Sequence, residues 1–235
     1  TGESINDVSR LILTGSGGPF RNKNKNYFGK ITPEEALNHP NWEMGNKITI
    51  DSATMMNKGL EIIEAHWLFD MEPNEIDIVV HPQSIIHSMV EFKDRSVKAQ
   101  LGIPDMKIPI QYALTYPKHI DSEWESLDLA SIGSLTFEYP DFDKFPCIRL
   151  AYDALKTGGS TPAVLNVVNE YAVYKFLNNE ISFTDIPKMI EKACESHNWI
   201  EHLDFETLLE LETWSIKFVN SFQSISFFSK STSTY

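Results

Sequence analysis

Residues 50–64, IDSATMMNKGLEIIE, constrain the possible fold more than any other stretch of the chain. The segment leading in, Lys47-Ile48-Thr49-Ile50-Asp51, alternates polar and apolar residues like a short strand. Ser52 then supplies a helix N-cap side chain, and from Met55 onward the leucine, isoleucine and glutamate residues favour a helix. The expected element is strand, turn, helix, with polar groups gathered where the helix begins. Free backbone N–H groups and the positive end of the helix dipole make such a place attractive to a phosphate. Ser52, Asn57 and Lys58 could add a hydroxyl, an amide and a cation there. Glu61 follows Asn57 by four residues and Lys58 by three, so the three share one side of the helix. A carboxylate beside a phosphate is unfavourable unless a metal ion or a proton intervenes. Read more plainly, the same residues make an ordinary amphipathic helix in which Lys58 and Glu61 form a surface ion pair.

A chain of 235 residues is long enough for one large or two modest domains with real cores. Its net charge of -13 argues against a general nucleic-acid-binding surface, so an anionic ligand has to be met by local basic groups. Cys147 and Cys194 stand far apart without CxxC spacing, which fits free, packed thiols in a reducing compartment and implies no zinc site. No apolar run approaches the roughly 18 residues of a membrane span, and no signal peptide opens the chain. The start, Thr1-Gly2-Glu3-Ser4, lacks an initiator methionine, as a cut or processed end of a longer protein would.

Val8 to Thr14 reads as a buried strand running into Gly15-Ser16-Gly17-Gly18-Pro19, a turn that exposes backbone N–H groups and the Ser16 hydroxyl to an anion. That turn lacks a P-loop lysine and dinucleotide-fingerprint spacing, and it equally reads as a tight turn after a strand. Thr32-Pro33-Glu34-Glu35 looks like the start of a short helix ending at Asn38. The following loop, residues 39–46, carries His39, Trp42 and Met44, and is either tucked against the body or a lid over a ligand. Further strands are expected at Ile76 to Val80, Ile86 to Phe92 and Val97 to Leu101, the last two forming a hairpin on which His87 sits. A short helix is expected from Met106 to Leu114, then a connector, then one strand from Thr136 to Tyr139. Cys147 to Lys156, Pro162 to Leu177, Asp185 to Ser196 and Phe205 to Val219 are helical by apolar spacing. The tail SKSTSTY is low in complexity and expected to be disordered.

Taken together and in this order, LTGSGGPFR, HPNWEMGNKITIDSATMMNKGLEIIEAHWLF, HPQSIIHSMVEF and GIPDMKIPIQYAL resemble the 1-deoxy-D-xylulose 5-phosphate reductoisomerase family. The likeness is near-continuous from Arg10 to Leu114 and weaker in FPCIRLAYDALKTGGSTPAVLNVVNE. It implies an enzyme of non-mevalonate isoprenoid-precursor synthesis that isomerises 1-deoxy-D-xylulose 5-phosphate with Mg²⁺ or Mn²⁺ and then reduces it with NADPH to 2-C-methyl-D-erythritol 4-phosphate. It also implies a homodimer, with no nucleic-acid or membrane partner, in the bacterial cytoplasm or a plastid stroma. Residue by residue, Ser16, Ser52, Asn57 and Lys58 would bind the substrate, largely at its phosphate, and His39 would contact it from the loop. Glu61 would be both a metal ligand and a substrate contact, with Lys58 and His39 beside it in catalysis. Trp42 and Met44 would form the lid, Gly45 would lie against NADPH, Met106 would pack near its nicotinamide, and His87 would support the site.

One departure matters: the family's other two metal carboxylates and its glycine-rich NADPH domain lie upstream of where this chain begins. The expectation is therefore a catalytic remainder and a helical domain that are inactive, or nearly so, on their own. The fold class implied is an α/β part with a mixed sheet over residues 1–114, a connector over 115–141, an all-α domain over 142–228 and a tail over 229–235. The alternatives are a non-catalytic phosphosugar-binding or dimerisation module, and a plain α/β domain without a site.

Overall fold

A computed structural model describes residues 3–40 and 44–222, so the expectations for Trp42 and for the tail lie outside the described residues. In chain order the strands are β1 (Val8–Gly15), β2 (Ile76–Val80), β3 (Ile86–Phe92) and β4 (Val97–Leu101). The helices are α1 (Pro33–Leu37), α2 (Asn46–Thr54), α3 (Met56–Phe69), α4 (Lys107–Thr115), α5 (Leu129–Ile132), α6 (Pro146–Thr157), α7 (Thr161–Leu177), α8 (Asp185–Ser196) and α9 (Phe205–Ser221). The chain forms two compact units that interleave in sequence, one from Thr1–Gly17 with Asn74–Pro140 and the other from Gly18–Pro73 with Asp141–Tyr235. None of the described helices is long and apolar enough to cross a membrane.

The first unit holds a mixed four-stranded sheet in the order β2-β1-β3-β4. β1 pairs parallel with β2 and antiparallel with β3, and β3 pairs antiparallel with β4 as the expected hairpin. A parallel pair needs a long crossover, and here the chain supplies it by passing through residues 18–73 of the other unit. Arg10 on β1 ties the sheet across its strands by pairing with Asp77 of β2 and Glu91 of β3. The bond to Glu91 is the larger cause of the raised Arg10 pKa, and Arg10 in turn holds the Glu91 carboxyl below the usual carboxylate range. The Thr14 hydroxyl donates to the His87 carbonyl at 2.8 Å, which pins the end of β1 to β3. The expected strand at 136–139 shrinks to one bridge, Val80 with Glu138, beside which His81 donates from Nδ1 to the Thr136 carbonyl at 2.9 Å. Only the single-turn α5 forms between 115 and 135.

The second unit is helical, and α7 is its axis. Val164, Leu165, Val168, Ala172, Val173 and Phe176 are buried around it, the pattern of a helix packed on several sides. It contacts α8, α9, α6 and α2. Around its C-terminal end Phe20, Phe28, Phe145, Phe176 and Phe183 meet edge to face or tilted, with ring centroids 5.5–6.2 Å apart. Such pairs add about 0.5–1.5 kcal/mol each beyond the area they bury. Thr32 and Glu35 form a capping box at the expected start of α1, with Pro33 at the first helical position. Residues 18–73 join this unit because α3 lies along α6, and Gly59 is what lets it. A Cβ at Gly59 would stand 2.8 Å from the Ala151 Cβ and 3.3 Å from the Cys147 carbonyl oxygen.

That close approach makes a prediction. Gly59→Ala should lower the free energy of unfolding by about 1–3 kcal/mol through overpacking, measured by urea denaturation. Adding Ala151→Gly should recover part of the loss. A single variant with the wild-type midpoint would mean that α3 and α6 separate without cost.

Candidate functional site

The strand expected at 47–51 is not a strand. Residues Asn46–Thr54 form helix α2, and the error has a clear cause. The face of α2 that packs inward carries Thr49, Ile50, Asp51, Ala53 and Thr54, so its helical period is written largely in polar letters. Ile48, which completed the apparent alternation, is 41% exposed. The threonines are tolerated inside because each hydroxyl bonds to backbone: Thr49 Oγ1 to the Gly45 carbonyl at 2.9 Å and Thr54 Oγ1 to the Asp51 carbonyl at 3.2 Å. Ser52 is consequently not an N-cap; it stands in the last turn of α2.

Met55 then adopts a left-handed conformation, φ 62° and ψ 11°, and α3 begins at Met56. The helix start expected to attract an anion therefore exists, but it belongs to α3, with Asn57 and Lys58 in its first turn. The shared face predicted from spacing forms as well. Asn57 Nδ2 donates to Glu61 Oε1 at 3.1 Å, and Lys58 Nζ donates to the two Glu61 oxygens at 2.7 and 2.6 Å. The Lys58 side chain is 15% exposed and that of Glu61 32%, so the pair is accessible but sheltered.

His39 follows the C-cap of α1 and turns its Nε2 to within 3.0 Å of Ser52 Oγ. Burial holds the His39 imidazole below its ordinary pKa, favouring the neutral ring. The last glycine of the TGSGGP turn meets the same helix. Gly18 has φ +66°, and a Cβ there would be 2.6 Å from the Ser52 carbonyl oxygen. Only glycine fits that left-handed, crowded position without strain. Gly45 caps α2 without a side-chain bond, and a Cβ there would meet nothing within 4 Å. Packing among the described residues thus gives no reason for that glycine. Met44 is half-buried just before it.

The remaining expected residues belong to the first unit. Ser16 is half-buried in the turn directly after β1. His87 is half-buried on β3. Met106 is the N-cap residue of α4 and 50% exposed.

Sequence reasoning passed over two neighbours of the helical cluster. Glu64 stands three residues beyond Glu61 on α3. Although much of it faces solvent, local desolvation and then the charge of Glu61 raise its pKa; the i, i+3 spacing was the available signal. Asp51 is the other: its pair with Lys47 is local, but its partner Asn169 lies 118 positions along the chain, beyond any local signal. A cavity of about 450 Å³ lies elsewhere in the helical unit, lined by Phe28, Phe145, Phe183 and Arg149 among others, and none of the expected site residues borders it. Both cysteines are free as expected; burial pushes the Cys147 thiol up to about 12, leaving it unreactive at neutral pH. Among the described residues no group of three or more His, Cys, Asp or Glu side chains is placed to hold a metal ion. Glu61 can offer one carboxylate, and Mg²⁺ or Mn²⁺ needs more oxygen ligands than that.

The lowered His39 pKa sets a pH prediction. In the unfolded chain the imidazole takes up a proton near its ordinary value of about 6.5, whereas in the folded chain it does so only at lower pH. The unfolded state then binds more protons between those values, so stability is full above about pH 6.5 and falls as pH drops toward the folded-state pKa. Comparing urea midpoints of wild type and His39→Asn across pH 5–8 should show a shallower decline in the variant. Parallel curves would remove His39 from the acid sensitivity.

Two family models match the chain, the DXP reductoisomerase C-terminal domain over residues 101–218 and the 1-deoxy-D-xylulose 5-phosphate reductoisomerase C-terminal domain over residues 1–69. The 1-deoxy-D-xylulose 5-phosphate reductoisomerase of Acetivibrio thermocellus is 56% identical over 218 residues, covering 93% of this chain and 57% of that protein. That of Chloroherpeton thalassium is also 56% identical over 218 residues, covering 93% of this chain and 56% of that protein. The chain thus spans little more than half the length of the curated relatives it matches. Among solved structures, the reductoisomerase from Zymomonas mobilis in complex with NADPH superposes with a TM-score of 0.86 at 42% identity, over 94% of this chain and 57% of that one. A DOX-P reductoisomerase in complex with NADPH, fosmidomycin and magnesium gives 0.86 at 44% identity, over 92% of this chain and 55% of that one. In sequence and in fold, the chain belongs to the 1-deoxy-D-xylulose 5-phosphate reductoisomerase family.

Proposed function

We propose that this chain is the substrate-handling and helical part of an enzyme that converts 1-deoxy-D-xylulose 5-phosphate to 2-C-methyl-D-erythritol 4-phosphate using NADPH and Mg²⁺ or Mn²⁺. The observation that carries the reading is the cluster on the first turns of α3, where Asn57, Lys58 and Glu61 converge on one face at a helix start. The solved relatives support the choice of ligands, since two of them are complexes with NADPH and magnesium or with NADPH alone.

On this reading Lys58 Nζ, the Asn57 amide and the Ser52 hydroxyl bind the substrate phosphate, and Ser16 adds a further hydroxyl contact. His39, held neutral by burial, can donate or accept one hydrogen bond at Nε2 and so orient a substrate oxygen. Glu61 is the one metal ligand this chain contributes, and the acidic partners it needs belong to a part of the protein that precedes these residues in its relatives. The ion supplies Lewis-acid stabilisation of oxyanion charge and NADPH supplies the hydride; no step through either is derived from this chain's geometry. Gly45 is assigned to close approach by NADPH, consistent with a glycine that the fold itself does not require. Met106 is assigned to the nicotinamide side, Met44 and Trp42 to the closing loop, and His87 to support. The whole protein is proposed to work as a homodimer in the cytoplasm or a plastid stroma. Val97, Leu101, Ile110 and Leu114 leave β4 and α4 with exposed apolar side chains, which supports a partner surface on that unit.

In the whole protein, Glu61→Gln should abolish NADPH oxidation while changing stability by no more than about 0.5 kcal/mol, as exposed helix substitutions usually do. Wild-type turnover in that variant would remove Glu61 from the metal site. Lys58→Ala deletes a charge-assisted bond worth about 1.5–3 kcal/mol, so kcat/KM should fall about 10–100-fold. Unchanged kinetics would place the phosphate elsewhere.

A further inference from the structure

Asn169 stands where an amide has little reason to be. It is fully buried in the middle of α7, where it loses water and gains the helix nothing. Its Nδ2 donates to Asp51 Oδ1 at 2.9 Å, while its own Oδ1 has no hydrogen-bond partner among the described residues. Leaving such an oxygen buried and unbonded disfavours the fold, so the amide serves something other than α7. Turning it over would set its oxygen against a carboxylate, which can only accept. The bond therefore runs one way, from Asn169 to Asp51.

Asp51 is equally out of place by burial alone, at 2% exposure. Its second oxygen takes Lys47 Nζ at 2.6 Å, one turn earlier on α2. A buried carboxylate held by one cation and one amide adds little net stability, and apolar side chains of similar volume commonly do as well or better. What apolar packing does not supply is direction. The Oδ1 bond crosses to α7 and limits the rotation of α2 about its axis and its depth against α7, while Lys47, on α2 itself, holds the carboxylate in the orientation that meets Asn169. Asp51 directly precedes Ser52, and Ser52 Oγ meets His39 Nε2 at 3.0 Å.

We propose that Asp51 is a positioning residue for the substrate site: its bond to Asn169, with the carboxylate oriented by Lys47, registers α2 on α7 and thereby sets where the Ser52 hydroxyl and the His39 imidazole present themselves to the substrate. This rests on the reading of Ser52 and His39 as substrate contacts. Slipping α2 by one residue would turn Ser52 by about 100° around the helix axis, enough to carry its hydroxyl off the site. Neither Asp51 nor Asn169 touches the substrate on this account.

The experiment uses the whole protein with Asp51→Ala/Asn169→Leu, which replaces the polar clamp with apolar packing. Three quantities are read: thermal midpoint, steady-state constants, and the ¹⁵N chemical shift of His39 Nε2. The expected result is a midpoint within about 5 °C of wild type, a KM for 1-deoxy-D-xylulose 5-phosphate raised tenfold or more, a KM for NADPH within twofold, and a displaced His39 signal. A loss of structure alone would lower the active fraction and leave both KM values in place. If the double variant does not fold, Asp51→Asn, which keeps the shape and an acceptor for Asn169, carries the same readouts with a smaller rise of about threefold. A folded variant with the wild-type KM and the wild-type His39 signal overturns the proposal. Wild-type protein without turnover would overturn the functional reading instead, and the His39 signal would still decide the positioning.

Discussion

The arrangement of the candidate site depends on one residue in an uncommon conformation. Met55, at φ 62°, divides what would otherwise be a single helix from Asn46 to Phe69. In a continuous helix Ser52 and Glu61, nine residues apart, would stand about 180° from each other around the axis. The break frees α3 to take its own direction and opens a new helix start whose N–H groups sit beside Asn57 and Lys58. A left-handed non-glycine residue costs roughly 1–2 kcal/mol. Met55 is 3% exposed, and burying a methionine side chain returns about 1.5–3 kcal/mol. The methionine thus holds the strained backbone in place by its own packing, where a glycine would permit the turn but not enforce it.

How much of this could be read from the chain follows from how local each signal is. The four strands and the helices from Pro146 onward were legible because their periods are carried by apolar residues and bounded by prolines, glycines and capping residues close by. The Asn57–Lys58–Glu61 face was legible for the same reason, being a matter of spacing on one helix. Helix α2 was not. Its inward face is made of Thr49, Asp51 and Thr54 as much as of Ile50 and Ala53, and their burial is permitted by bonds that only the fold supplies. The contact of Asn169 with Asp51 joins residues 118 positions apart and leaves no local trace. Roles for Gly45 and Met106 came from family resemblance, with nothing in their own spacing to single them out, while Ser16 carried only the weak local signal of its glycine-rich turn.

The electrostatics of consecutive helices show why the two lysines near the site are not equivalent. Lys47 and Lys58 are each paired with a carboxylate on their own helix, in a chain whose net charge is -13. In the α2 pair the Asp51 side chain is 3% exposed and also bonded to Asn169, so removing Lys47 would leave a buried charge short of a partner, a change that costs about 3–5 kcal/mol. In the α3 pair the Glu61 side chain is 32% exposed, so losing Lys58 would leave a carboxylate that water and ions can reach instead of a buried charge. The first pair is accordingly fixed by the fold, while the second is nearly free to exchange partners. On the proposed function an arriving phosphate, with more charge than a carboxylate, would draw Lys58 away from Glu61. Glu61 is then left with an unbalanced carboxylate next to an anion, which is the electrostatic condition under which a divalent cation binds best. On the proposed function the pair on α3 would couple the two ligands, since drawing off its lysine would prepare its carboxylate, while the pair on α2 would keep Ser52 and His39 in place during that exchange.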